Sequence, residues 1–134
     1  MTQVFADTHF FIALVNPSDP AHAIARKQRE QKGRTLVTTT WVIAEFGNAM
    51  SRGGSRALFL AMLDALSAAK NTVVLNPTRS VIDSAVDLFR ERPDKDWSLT
   101  DCVSFVVMQR RGIRDALTGD RHFDQAGFHA LLGQ

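Results

Sequence analysis

Cysteine is nearly absent from this chain. Cys102 stands alone among 134 residues, which excludes an internal disulfide framework and any cysteine-based zinc site and fits a reducing compartment. Long apolar runs are missing as well, since none reaches the roughly 18 residues of a membrane span. The first residues, MTQVFADTHFFIALV, carry no basic stretch ahead of the apolar ones and have Asp7 in their midst. No signal peptide is read there, and a cytoplasmic protein is expected. There are no internal repeats, low-complexity tracts or linkers. Charge of one sign does not dominate either: 16 Lys and Arg face 14 Asp and Glu, for a net charge of +2. That balance points only weakly to a polyanionic partner. What is present is an ordinary globular composition, 45% hydrophobic and 22% charged, in a length that suits one domain over residues 1–134.

Pro, Gly, Ser and Thr divide the chain into short apolar segments and longer helical ones. Strands are expected at Gln3–Ala6, Thr35–Thr38, Thr72–Leu75 and Ile113–Leu117, with a short last one within Gly127–Leu132. Helices are expected over Thr8–Val15, stopped by Asn16-Pro17, and from Asp19-Pro20 to about Lys32, closed by Gly33. Others run over Trp41–Met50 behind a Thr39 or Thr40 cap, from Ser55 to about Lys70, and from Asn76-Pro77 to about Glu91. After a charged loop, Arg92–Trp97, a last helix covers Leu99–Arg111 between a Ser98 cap and Gly112. Strands alternating with helices predict a three-layer α/β/α sandwich with a short parallel sheet of four to five strands.

In such a sheet the working crevice lies outside the carboxyl ends of the strands. Asp7 directly follows the first strand and Asp120 shortly follows the fourth. Glu45 lies one turn into the helix after the second strand, and Asp101 lies in the first turn of the helix after the charged loop. All four therefore belong to the same edge. Their neighbours are apolar: VFADTHFFIAL, WVIAEFGNAM and SLTDCVSFVVM contain no Lys or Arg. Charged side chains rarely occupy such surroundings unless paired or metal-bound. Oxygen donors without Cys or a clear His pair suit Mg²⁺ or Mn²⁺. Read singly, Asp7 is as readily a helix N-cap, Asp101 a favourable charge at a helix N-terminus, and Asp120 a turn aspartate after Gly119. Glu45, mid-helix among core residues, resists such a reading, and the joint placement points to one site.

These residues together resemble a PIN domain, from FADTHFFIAL to LTGDRHFDQAGF and so over essentially the whole chain. The matching motifs are Asp7 closing the first strand, Glu45 with Asn48 one turn on, Ser98-x-x-Asp101 before an apolar helix, and Thr118-x-Asp120-x-x-Phe123 followed by Gly127-Phe128. The short length is similar to that of the VapC-type toxins of bacterial toxin–antitoxin pairs, and also to small stand-alone PIN proteins. The resemblance implies an endoribonuclease in which Asp7, Asp101 and Asp120 hold Mg²⁺ and Glu45 holds a second ion or orients water. It implies supporting roles for Thr8, Ser98, Thr100 and Thr118, and a contact from Asn48 to a ligand or phosphate. Arg110, Arg111 and Arg121 are the expected phosphate contacts, with the basic run Arg26–Arg34 as further approach surface. A cognate antitoxin and a homodimer are the expected protein partners, with Ala57–Ala69 either core or the face that receives them.

Two positions depart from the family pattern. Many members carry a second aspartate two residues beyond Asp120, where this chain has His122; Asp124 is the candidate extra ligand. His9 stands where a small polar residue is common, either at the surface or touching substrate. Phe123 is expected to tuck the loop after Asp120 onto the core. A non-catalytic RNA-binding or scaffold protein and a stand-alone RNA-processing nuclease remain as alternatives. A phosphate-accepting receiver domain does not, for it needs an acidic pair before the first strand's Asp and a lysine ending a late strand. A haloacid-type phosphatase would show Asp-x-Asp where this chain reads Asp7-Thr8-His9.

Overall fold

The computed structural model describes residues 2–133. Five strands, β1 (Thr2–Ala6), β2 (Arg34–Thr39), β3 (Thr72–Leu75), β4 (Asp115–Leu117) and β5 (His129–Ala130), form one parallel sheet in the order β3-β2-β1-β4-β5. Seven helices connect them: α1 (Thr8–Val15), α2 (His22–Glu30), α3 (Thr40–Ala49), α4 (Ser55–Ala68), α5 (Arg79–Glu91), α6 (Leu99–Arg111) and α7 (Arg121–Gln125). The chain winds outward from β1 through β2 to β3, then returns to place β4 on the other side of β1. Right-handed crossovers put the helices of the two winding directions on opposite faces of the sheet. The helix contacts fit this, since α1 packs on α2, α3 and α4 and α6 packs on α5 and α7, while α3 and α6 meet as well. Strand order reverses between β1 and β4, and at such a switch point the carboxyl ends of neighbouring strands part to leave a crevice. No helix of the described residues is long and apolar enough to cross a membrane.

Phenylalanine fills both halves of the core. Phe11 stacks on Phe46 at 5.5 Å between ring centroids, with Phe10 and Phe59 edge-on at its ends. A second group joins Trp97, Phe105, Phe123 and Phe128, with Phe105 and Phe123 edge-to-face at 5.0 Å and Phe5 of β1 behind them. Such pairs add about 0.5–1.5 kcal/mol beyond the area they bury. Helix α6 is buried from Asp101 through Met108. Ser98 and Asp101 close a capping box at its start, and Gly112, with φ of 67°, ends it in the left-handed region that favours glycine.

Three elements depart from the sequence reading. Helix α2 begins at His22 because Asp19 Oδ1 accepts the Ala21 N–H at 2.8 Å and holds the Asp19-Pro20 segment as a turn. Helix α5 begins after Thr78, whose hydroxyl accepts the Val81 N–H, so the cap lies beyond Asn76-Pro77. The segment after Asp120 is not a loop but the short helix α7, seated by the fully buried Phe123.

Candidate active site

Asp7 and Thr118 leave adjacent strands, β1 and β4, at the switch point. The Asp7 N–H donates to the Leu117 carbonyl, which extends the strand pairing by one residue into the crevice. Asp7 is only 5% exposed. The Thr118 hydroxyl donates to Asp7 Oδ2 at 2.9 Å and accepts the Asp120 N–H at 3.0 Å, so one buried threonine positions two carboxylates. Burial pushes the Asp7 carboxyl from 3.8 up to about 7. Hydrogen bonds from the Thr8 N–H and the Thr118 hydroxyl oppose that rise, and the negative charges of Asp101 and Glu45 add to it.

The other acids come from three helices. Asp101, in the first turn of α6, accepts the Ser98 N–H at 3.1 Å. Asp120 caps α7 by accepting the His122 N–H at 2.9 Å. The His122 ring then reaches both carboxylates, its Nδ1 lying 3.1 Å from Asp101 and 3.4 Å from Asp120. One donor atom from each of Asp101, Asp120 and His122 lies within 4.8 Å of the others. Glu45, one turn into α3, accepts the Thr8 hydroxyl. Through Thr8 it is joined to the residue next to Asp7. Among the described residues no Lys or Arg forms an ion pair with Asp7, Glu45, Asp101 or Asp120. Converging carboxylates without Lys or Arg partners, one of them pushed toward neutrality, form a donor set that a divalent cation fits.

Asp124, the candidate extra ligand, and His122 point to different sides of α7. Two residues apart on a helix, they stand about 200° around the axis from each other. Asp124 turns to β5, where it accepts the Ala130 N–H at 3.4 Å, and His122 joins the carboxylates. His9 is fixed by its neighbours: Nδ1 accepts the Gly119 N–H at 2.7 Å, and Nε2 lies 3.9 Å from Asp19. The bond to Nδ1 assigns the ring proton of the neutral imidazole to Nε2. Asn48 is exposed and, with Thr100, lines a pocket beside Glu45. Arg121 is exposed next to Asp120.

The basic residues are arranged differently from the expectation. Arg110 donates to Ser80 and Ser84 of α5, and Arg111 to Gln3 of β1. Both belong to the last turn of α6, about 14–15 Å along the helix axis from Asp101, at the end remote from the crevice. They hold elements together there and do not face the acids. The run Arg26–Arg34 leads into the amino end of β2 and so lies at the opposite edge of the sheet. Trp41 went unremarked in the sequence, yet it lines the pocket beside Glu45. Its spacing was the available signal, because Trp41 precedes Glu45 by four residues and shares its helix face.

The pattern of the PIN domain family matches residues 4–129. The 23S rRNA-specific endonuclease VapC20 of Mycobacterium tuberculosis is 30% identical over 126 residues, which are 93% of this chain and 95% of that protein. The crystal structure of Mycobacterium tuberculosis VapC20, described as a sarcin-ricin loop cleaving toxin, superposes with a TM-score of 0.85 at 26% identity over 93% of this chain and 95% of that one. VapBC2 from Rickettsia felis, bound to a DNA fragment from their promoter, has the same fold, with a TM-score of 0.71 at 11% identity and 96% of each chain covered. FitAcB from Neisseria gonorrhoeae follows, with a TM-score of 0.61 at 11% identity and 95% of each chain covered. PIN nucleases in general depend on divalent metal ions, as the cluster of Asp101, Asp120 and His122 beside Asp7 and Glu45 leads one to expect. The chain belongs to the PIN domain family, a family of nucleases.

Proposed function

We propose that this protein is a Mg²⁺-dependent endoribonuclease and the toxin of a type II toxin–antitoxin pair, acting on RNA in the cytoplasm. The observation that carries this is the convergence of four acids, free of ion pairs with Lys or Arg, on the switch point of the sheet. The 30% identity to an rRNA endonuclease over nearly the whole chain supports it. Asp7, Asp101 and Asp120 would hold Mg²⁺ or Mn²⁺, with His122 among them and Glu45 beside them. Such an ion makes water a nucleophile at neutral pH and neutralises charge developing on the phosphate.

The side chains do the rest. Thr118 and the Thr8 N–H fix the Asp7 carboxyl, which would hold the ion with Asp101 and Asp120. Thr8 fixes one oxygen of Glu45, and the second oxygen would hold a second ion or orient the attacking water. The capping box holds Asp101 in one rotamer and so spares that reorganisation during the reaction. Arg121, beside Asp120, is the nearest exposed cation in the sequence to these acids and is assigned to a phosphate of the strand.

Two protein partners complete the reading. A groove along α3 and α4, lined by Ile43, Gly47, Met50, Phe59 and Leu60, takes an apolar helix of the antitoxin. Self-association into a homodimer covers further apolar surface such as Phe89, which is 51% exposed. Light scattering across a concentration series measures the dimer, and a constant mass of 14.9 kDa refutes it. For the activity, purified protein is incubated with single-stranded RNA in Mg²⁺, in Mn²⁺ and in excess EDTA. Cleavage is expected with either ion, to stop in EDTA, and to be lost in Asp120→Asn. Cleavage that persists in chelator, or at the wild-type rate in Asp120→Asn, refutes the reading.

A further inference from the structure

Trp41, Ala44, Glu45 and Asn48 follow one another at the spacings that keep residues on one face of α3. Together with Thr40 and Thr100 they line an open pocket of about 350 Å³, a size within the roughly 300–1,000 Å³ typical of small-ligand sites. Exposed Ala44 leaves room between Trp41 and Asn48. Glu45 belongs to this pocket and to the acid cluster alike, and Thr100 directly precedes Asp101, so the pocket opens beside the acids.

Its chemistry is specific. The Trp41 indole N–H, the Asn48 carboxamide and the Thr100 hydroxyl make no hydrogen bond to any described residue, whereas the Thr40 hydroxyl is already given to Asn76. The other tryptophan has no such freedom: Trp97 packs edge-on against Phe105, lies under the Arg92 guanidinium and donates to Gln125. No Lys or Arg lines the Trp41 pocket, which argues against a phosphate as its occupant. An aromatic face with unspent donors and acceptors around it is the way single-stranded RNA bases are held.

We propose that this pocket takes one unstacked base of the RNA strand, that of a nucleotide beside the scissile phosphate, with the ring against Trp41 and its edge read by Asn48 and Thr100. The proposal rests on the nuclease reading. Loss of one base stack costs about tenfold or more in binding. With mixed-sequence single-stranded RNA and Mg²⁺, Trp41→Ala is expected to lower kcat/KM about tenfold through KM with kcat nearly kept, while Trp41→Phe stays within about threefold of wild type. Asn48→Ala and Thr100→Ala are expected to alter which base is preferred beside the cut. Melting temperatures of the variants identify any loss that is only unfolding. In that event the emission of Trp41, taken as the wild-type signal minus that of Trp41→Phe, decides, and quenching by a mixed-sequence oligoribonucleotide in EDTA is expected. A folded Trp41→Ala enzyme with wild-type kcat/KM, or Trp41 emission that the RNA leaves unchanged, overturns the subsite. Wild-type protein that cleaves no RNA refutes the nuclease reading instead, and the emission titration then settles the subsite alone.

Discussion

Replacing Asp7 by Asn removes one negative charge from the crevice and keeps the shape of the side chain, so the Thr118 hydroxyl can still donate to it. In the wild-type protein burial pushes this carboxyl from 3.8 to about 7, with repulsion from Asp101 and Glu45 contributing. A change of that size amounts to about 4 kcal/mol held against the ionised form. A carboxyl group raised on folding destabilises the fold when it ionises. The penalty is absent below its unfolded value, grows between about pH 4 and pH 7, and is constant above that. At pH 5 it amounts to under about 2 kcal/mol. Urea unfolding in EDTA at pH 5 and pH 8 reads the difference: Asp7→Asn is expected to be the more stable protein, and by a clearly larger margin at pH 8. Mg²⁺ narrows the gap by mass action, stabilising wild type by about 2.7 kcal/mol at a concentration of 100 Kd and the variant far less. The variant should lose cleavage. Asp101 suits this experiment poorly because its carboxylate also closes the capping box of α6. An Asp7→Asn protein less stable than wild type at pH 8 in EDTA, or equal margins at both pH values, refutes the reasoning.

Gly119→Ala places a Cβ 2.6 Å from His9 Cε1, and the displaced ring loses the Gly119 N–H; a cost of about 1–3 kcal/mol is expected by urea unfolding, and unchanged stability counts against this close fit. Arg110→Ala removes the bonds to Ser80 and Ser84, exposed contacts worth about 1 kcal/mol or less, so a slightly lower melting temperature with normal cleavage is expected. A normal melting temperature with impaired cleavage would restore Arg110 as a phosphate contact. Phe123→Ala empties a fully buried position between Phe5 and Phe105, and about 3–5 kcal/mol of stability should be lost in urea titrations.

The alternation of strands and helices was legible because each boundary carried its own chemistry. Helix α6 runs over Leu99–Arg111 as expected, since the Ser98 hydroxyl, the Asp101 carboxylate and Gly112 fix both ends by local bonds. The shared edge of the four acids followed from chain direction alone, as every carboxyl end of a parallel sheet faces one way. Where local sequence was weak, the reading failed. Helix α7 has five residues, too few for a periodic pattern, and with it went the orientation of His122 and Asp124. The partners of Arg110 and Arg111 lie 30 and 108 residues away, and long side chains leave no trace of such choices in a linear pattern. Trp41 read as one more apolar residue of α3, because the open space in front of it exists only once Thr100 of α6 arrives from the other side of the crevice.

The bond between Thr118 and Asp7 spans 111 residues of chain, and this sets when the crevice can come into being. Until β4 is made, the edge of β1 that faces it has no strand to pair with. For that whole interval Asp7 lacks Thr118, Asp120 and His122 beside it. A chain made only as far as β3 has Asp7 and Glu45 but neither Asp101 nor Asp120, so the four acids are not yet gathered. Topology thus withholds the carboxylate cluster until β4 has docked beside β1.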